Sequence, residues 1–472
     1  LPVEMVKPIL PTTAFGALHV ESMVATYGTL SKAFTLVTGG GSVAEEDSLF
    51  KAASDGTAGS LAALLSDNYI AYRAGQGLVC SFTAQFTAGE AGCDQAAGLI
   101  TSTDGFTFGY VDEDFGILYT HHGEVEIQEL IITTPSAGAE NATVTVNGVA
   151  YVVPLTGTDA GHDASEIAAS LTAQAAGFTF SSNENTVVCN AVLSSPLSTF
   201  AFTSGTAVAA WTQINPGVVV ETDFIPQASW NQDVAAWLDP SKLNVYQIQM
   251  QYLGAGGIEF YVEDNASADF LIVHRIEYAN VHNRPSVSNP SFRCGWTVRT
   301  NSPCAPKEVS GASIAGFIEG EKVITEESRG TSGSNPSLPT VETNLLTMRS
   351  RSVLDGKQNR AETFLLAVSA FTESSKSAIL RVRKNATFTG DVLIYSYVDK
   401  TSSTTETATD PAQVVGGDII TSGIVTTSGP SYTATGNLLL EISPNETVTF
   451  SMEQLGAPAA GASVAVTYVE DL

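Results

Sequence analysis

The sequence predicts an all-β protein: a jelly-roll or β-sandwich main domain, a small inserted ββαββ domain and a C-terminal β-sandwich domain. Three observations carry this. Apolar and polar residues alternate with period two through most of the chain, as in "NVYQIQMQYLGAGGIEFYVED" from Asn244 to Asp264, the mark of strands with one buried face. Helical periodicity is confined to "DASEIAASLTAQ". The 472 residues, 43% of them hydrophobic, exceed what one ordinary core holds, so more than one domain is expected.

Residues 1–40 carry Pro8 and Pro11 with weak periodicity, and read either as an arm that docks on a neighbour or as edge strands. Residues 41–130 and 211–320 form the discontinuous main sandwich. Within it, Val245, Gln247, Gln249 and Gln251 fall on one strand face and Tyr246, Ile248, Met250 and Tyr252 on the other. The apolar face covers a core, and the polar one meets water or a partner. "DGFTFGYVDEDFGILY" reads as a hairpin. Its three-residue loop, Asp112, Glu113 and Asp114, is solvated, with Tyr110 opposite Gly116 and Ile117 opposite Gly109.

Residues 131–210 change texture. Asn147-Gly148 between alternating runs signals a two-residue hairpin. Asp163 is placed to cap a helix, with Glu166 completing a capping box and Ile167 and Leu171 one turn apart. Residues 321–341, rich in Ser, Gly and Pro, read as a linker, and residues 342–472 as the second sandwich.

Composition excludes several classes. A formal charge of −28, from 49 acids against 21 bases, argues against a nucleic-acid partner. No run reaches the roughly 18 apolar residues of a membrane helix, so no membrane insertion is expected. Leu1 in place of Met implies a processed or trimmed chain, and the opening "LPVEMVKPILP" lacks the basic start and apolar stretch of a signal peptide. The five cysteines, Cys80, Cys93, Cys189, Cys294 and Cys304, include no C-x-x-C pair. Free buried thiols are expected, with Cys294 and Cys304 the pair if one bridge forms.

Candidate chemistry is sparse. Glu124, Glu126 and Glu129 in "GEVEIQEL" resemble the E-x-D-x-x-E strand of jelly-roll glycoside hydrolases, whose carboxylates flank a sugar. Here Glu126 replaces Asp and no tryptophan-rich cleft accompanies it, so a solvated strand face is the expected reading. His121 and His122 are adjacent, and neighbours on a strand point to opposite faces, so a shared metal is not expected. Asp159 and Asp163 lack the alternating oxygens of a calcium loop. Sequons at Asn141, Asn265, Asn385 and Asn445 lie in turn-like contexts where a glycan could be carried. Arg381, Arg383 and Lys384 form a basic cluster, read as charge protecting a strand edge. No catalytic residue, metal or cofactor is assigned.

Five segments taken together resemble a family of virion structural proteins of tailed bacteriophages and large eukaryotic DNA viruses: "YIAYRAGQGLVCSFTAQFT", "DGFTFGYVDEDFGILYTHHG", "IPQASWNQD", "LDPSKLNVYQIQMQYLGAGGIEFYVED" and "LIVHRIEYANVHNRPSVSNPSF". The resemblance implies a non-enzymatic fibre, spike, vertex or minor capsid component on the particle exterior, in an extracellular setting. It also implies a homo-oligomer, a trimer foremost, with other virion proteins and a host surface glycan or receptor as partners. The alternative is an extracellular glycan-binding or glycan-cleaving jelly-roll protein.

Overall fold

The computed structural model describes residues 17–26, 28, 30, 33–72, 75–157, 159–175, 177–192, 198–319, 327–373, 377–390, 392–425, 432–444, 446–456 and 460–471. The fold is all-β, with a single α-helix, Ala160–Gln174, among the described residues. The chain divides into two compact units, residues 1–124 with 218–323, and residues 125–217 with 324–472.

The first unit is a sandwich of two antiparallel sheets. One sheet centres on Gly77–Phe86, flanked by Asn244–Gln251 and Ser313–Glu319; the other runs through Asp114–His121, Gly105–Val111, Cys93–Ile100 and Arg293–Thr300. Alternation drives the assembly: Phe106, Phe108, Ile117, Tyr246, Ile248, Phe260 and Trp296 all point into one buried cluster. The Phe108 ring meets Tyr246 at 4.8 Å and Phe260 at 5.5 Å, locking the sheets face to face. Ala17–Val24 joins as a strand beside Ser313–Glu319 and Ala33–Thr38 as another beside Leu61–Ser66. The docking-arm reading thus rests on residues 1–16, which lie outside the described residues.

Four readings within this unit are corrected. Gln247 and Gln249 are buried, because their strand is central and the cross-strand neighbours Tyr261 and Glu259 lie beside them. The acidic hairpin has a two-residue loop: Val111 pairs with Asp114, Tyr110 with Phe115 and Gly109 with Gly116. Asp112 supplies the left-handed turn (φ 53). The slip follows from packing: a Cβ on Gly109 would stand 1.8 Å from the Gln95 carbonyl oxygen, and one on Gly116 2.3 Å from that of Ile225. The glycines therefore serve neighbouring strands and do not receive side chains across the hairpin. Finally, the disulfide joins Cys93 to Cys304, while Cys80, Cys189 and Cys294 are free and buried. Cys294 occupies the sandwich core, out of reach of the surface loop that carries Cys304.

In the second unit, Thr343–Ser350, Thr447–Gln454 and Ala378–Lys384 are consecutive strands of one sheet, and Arg329–Leu338, Ala460–Asp471 and Glu362–Thr372 of another. Leu346, Leu380, Phe450, Val466 and Tyr468 fill the core between them. Arg329–Leu338 is therefore a strand, where composition suggested a linker. Its small residues allow close approach, since a Cβ on Gly333 would meet the Leu345 carbonyl oxygen at 2.0 Å. Ala378–Lys384 lies inside its sheet, so the basic cluster protects no edge. Arg383 instead pairs with Glu342 at 2.6 Å, Arg381 with Glu453 at 2.8 Å and Lys384 with Glu446 at 2.6 Å.

The remainder of this unit carries the helix. The hairpin turns on Asn147 (φ 50) and Gly148 (φ 79), as its sequence signals. Ile167 and Leu171 are buried in the local core. The strands Glu140–Val146 and Val149–Leu155 precede the helix, and Phe178–Asn183 and Thr186–Ala191 follow it. Glu124–Thr134, Phe200–Thr203 and Val208–Val218 extend these hairpins into two sheets. Asp159, not Asp163, caps the helix, its Oδ1 accepting from His162 N at 2.8 Å. Asp163 is turned inward, where its carboxylate accepts from Ser136 N at 2.7 Å and Ser136 Oγ at 2.8 Å. Glu166 accepts from Thr156 N at 2.9 Å and so closes no capping box.

Candidate functional site

The second unit holds a cavity of about 300 Å³ lined by Glu129, Ser181, Arg351, Tyr397, Lys400 and Glu406, among others. Its walls come from both parts of the unit, and a hydrogen-bonded seam fixes them. Arg349 donates through Nε to Glu406 Oε2 at 2.9 Å and through an Nη to the Ser182 carbonyl at 2.7 Å. Asn183 Nδ2 reaches Glu406 Oε1 at 2.9 Å, and Glu184 N donates to the Tyr395 carbonyl at 2.8 Å. Glu406 is thus spent on the seam at the cavity's edge.

Cations and aromatics pair along this seam and into the cavity. Arg349 and Arg351 are two residues apart on one stretch of chain, Tyr395 and Tyr397 on another. The Arg349 guanidinium lies 3.7 Å from the Tyr395 ring centre and that of Arg351 5.1 Å from Tyr397. Lys400 Nζ stands 5.9 Å from the same Tyr397 ring. Burial first, then the Glu406 charge, pushes the Tyr397 hydroxyl up to about 12, so it stays a hydrogen-bond donor at any physiological pH. Arg351 is 5% exposed, donates Nη1 to the Lys400 carbonyl at 3.0 Å, and keeps a buried Nε–H that finds no acceptor among the described residues. A buried donor without a partner costs about 1–3 kcal/mol.

The three glutamates of the E-x-E-x-x-E strand do not converge. Glu124 is exposed and ends its segment of the first unit. Glu126, expected on a solvated face, is 1% exposed and satisfied by Gln128 Nε2 and Ser198 N, both at 2.8 Å. Glu129 faces the cavity. Asp112, Glu113 and Asp114 are all exposed, and Asp112 Oδ1 accepts from Gly92 N at 2.6 Å, which ties the hairpin tip to the next loop. Of the sequons, Asn265 lies in an exposed turn and Asn385 is exposed. Asn141 sits within a strand opposite Pro154, and Asn445 is outside the described residues.

His121 and His122 do come together, contrary to the alternation argument. His121 ends its strand in extended backbone, but His122 has φ 56, and that left-handed step swings its ring back. The two Nδ1 atoms are 2.6 Å apart. Glu221 pairs directly across from His121 in the sheet, and Asp223 across from Tyr119.

Arg351, Tyr397 and Lys400 were not singled out by sequence reasoning. The signal available was the pair of alternating motifs, Arg-x-Arg at 349–351 and Tyr-x-Tyr at 395–397, in which cations and aromatics of equal spacing can stack pairwise.

No family model matches the chain, and no curated protein matches it. Among solved structures, a lectin from Bauhinia forficata in complex with GalNAc aligns at 8% identity and TM-score 0.23, over 64% of this chain and 98% of that one. A botulinum neurotoxin type C structure, concerned with its interaction with two ganglioside molecules, aligns at 8% identity and TM-score 0.26, over 93% and 94%. The Sulfolobus Turreted Icosahedral Virus structure aligns at 7% identity and TM-score 0.17, over 93% and 89%. At such TM-scores none of these likenesses bears on function.

Proposed function

We propose that this chain is a non-enzymatic β-sandwich protein of a virus-particle exterior, a fibre, spike, vertex or minor capsid component. On this reading it engages host-surface carbohydrate through the Arg351–Tyr397–Lys400 cavity. The observation that carries the binding half is the cavity wall itself, where the Arg351 guanidinium lies 5.1 Å and Lys400 Nζ 5.9 Å from the Tyr397 ring, beside the hydroxyls of Ser181, Ser352 and Thr401. A sugar offers what that wall asks for: an apolar C–H face for Tyr397, and oxygens that accept from Arg351 and Lys400 while its hydroxyls donate to Glu129. The virion half is supported by the five-segment sequence resemblance and by rigid, acidic, hydroxyl-rich β-domains. Self-association, with a trimer as the working state, is supported by Asp418–Val425. This strand ends its sheet among the described residues and exposes Ile419, Ile420 and Ile424.

Mass spectrometry of purified particles tests the first half, and the chain must appear there in stoichiometric amount. A glycan array with wild type, Arg351→Ala and Tyr397→Ala tests the second: both variants should lose the wild-type glycan signal. Because Glu129, Asp355 and Glu406 line the same cavity, the same glycans are assayed for release of reducing sugar. Release that Glu129→Gln abolishes would favour the glycan-cleaving alternative.

A further inference from the structure

The inference begins with ring tautomers at His121 and His122. His121 Nε2 faces Asp223 Oδ2 at 3.1 Å, and His122 Nε2 faces the Pro285 carbonyl at 2.8 Å. A carboxylate and a carbonyl accept but do not donate, so each ring carries its hydrogen on Nε2 and presents a bare lone pair at Nδ1. Those two Nδ1 atoms meet at 2.6 Å. Two lone pairs so placed repel, and the arrangement becomes favourable when a cation, a metal ion or a proton, lies between them.

Glu221 brings negative charge to the same point. Its Oε2 is 3.7 Å from His121 Nδ1, and one donor atom from each of His121, His122 and Glu221 falls within 4.8 Å of the others. We propose that His121 Nδ1, His122 Nδ1 and the Glu221 carboxylate form a binding site for a divalent transition-metal ion of the zinc class. Two imidazoles and one carboxylate suit zinc, cobalt or nickel and suit calcium or magnesium poorly, since those ions want oxygen donors throughout. Three protein donors leave a fourth position for water or for a donor from a partner.

The surroundings are built as metal sites are built. A ligating histidine ordinarily gives its second ring N–H to a carboxylate or a backbone carbonyl, which fixes the tautomer and aims the lone pair. Asp223 does this for His121 and Pro285 for His122. The Tyr119 ring stacks on His121 with centroids 4.2 Å apart, which holds the imidazole plane. Two nitrogens on a tetrahedral zinc ion stand about 3.3 Å apart, so the Nδ1 pair opens slightly on binding. The half-buried His122 ring has room for that rotation. Arg284 pairs with the same Glu221 Oε2, so an ion bound there shares that oxygen with the guanidinium. His122 lies two residues from Glu124 and Glu221 three from Val218, the points where the chain leaves and re-enters the first unit. A bound ion would pin both crossings to that unit.

The test is isothermal titration of the tag-free chain, stripped with EDTA and dialysed, with zinc chloride. The expected result is saturable binding of one zinc ion per chain, with no heat from calcium or magnesium chloride. Cobalt chloride should give the visible absorption of a four-coordinate cobalt site. His122→Ala and Glu221→Gln should each weaken zinc binding at least about tenfold, and Asp223→Asn by about 10- to 100-fold, as loss of an outer-shell partner does. All three positions are at or near the surface, and an unchanged far-UV circular dichroism spectrum confirms that each variant folds. Absence of saturable zinc binding, or binding left unchanged by His122→Ala and Glu221→Gln, overturns the proposal.

Discussion

Removing Arg349 is the sharpest perturbation of the second unit. Its guanidinium is 11% exposed and the Glu406 carboxylate it holds is 4% exposed. Arg349→Ala therefore deletes the bond to the Ser182 carbonyl and leaves a buried carboxylate with Asn183 Nδ2 as its remaining side-chain donor. Breaking a buried ion pair from one side costs about 3–5 kcal/mol, because the surviving charge stays desolvated. Urea unfolding should show that loss. Hydrogen exchange should localise it to Phe178–Asn183 and Thr405–Ala408, whose strands face each other across the seam. The double variant Arg349→Met/Glu406→Gln removes both charges and keeps the volume, so it should recover more than half of the loss. A single-variant cost below about 1 kcal/mol, or a double variant less stable than Arg349→Ala, would refute the claim that this pair holds the cavity walls together.

Further outcomes follow from single sites. The Cys93–Cys304 disulfide spans a sequence separation of 211, and chain-entropy arithmetic for a loop of that length gives about 5 kcal/mol; Cys93→Ser/Cys304→Ser should lose stability of that order in urea unfolding of the oxidised chain. Hydrogen bonds from Ala207 N, then Thr206 and Ser204, hold the Glu140 carboxyl at about 2, below its ordinary 4.5. A depressed folded value stabilises above the unfolded one, so the stability gap between wild type and Glu140→Gln should be full above about pH 4.5 and shrink as pH falls toward 2. Gly109→Ala should block folding of the first unit or lower its melting temperature sharply, since the added Cβ would sit 1.8 Å from a backbone oxygen.

Much of the fold was legible because alternation is a local property. The strand Asn244–Gln251, the helix face at Ile167 and Leu171 and the Asn147-Gly148 turn follow from spacing and turn chemistry alone. What failed depended on neighbours that sequence does not reveal. Gln247 and Gln249 looked wet, but cross-strand partners bury them. The glycines at 109 and 116 looked like sockets for side chains across the hairpin, but they make room for carbonyls of adjacent strands. Asp163 looked like a cap because it precedes the apolar period, yet Asp159 starts the helix one turn earlier and Asp163 serves Ser136. At the candidate site, Glu129 was visible in its motif. Arg351, Tyr397 and Lys400 were hidden because their convergence depends on stretches separated in the chain. The histidine pair was visible and discounted, since the alternation rule assumes extended backbone and His122 leaves it.

The most direct test of the central claim is isothermal titration of wild type against Arg351→Ala, using the glycan that gives the strongest array signal. The account predicts one binding site per chain in the wild type and at least about tenfold weaker binding in the variant, the loss of one charged hydrogen bond of roughly 1.5–3 kcal/mol. Equal affinity in the two proteins, or no glycan bound by the wild type at all, would contradict it.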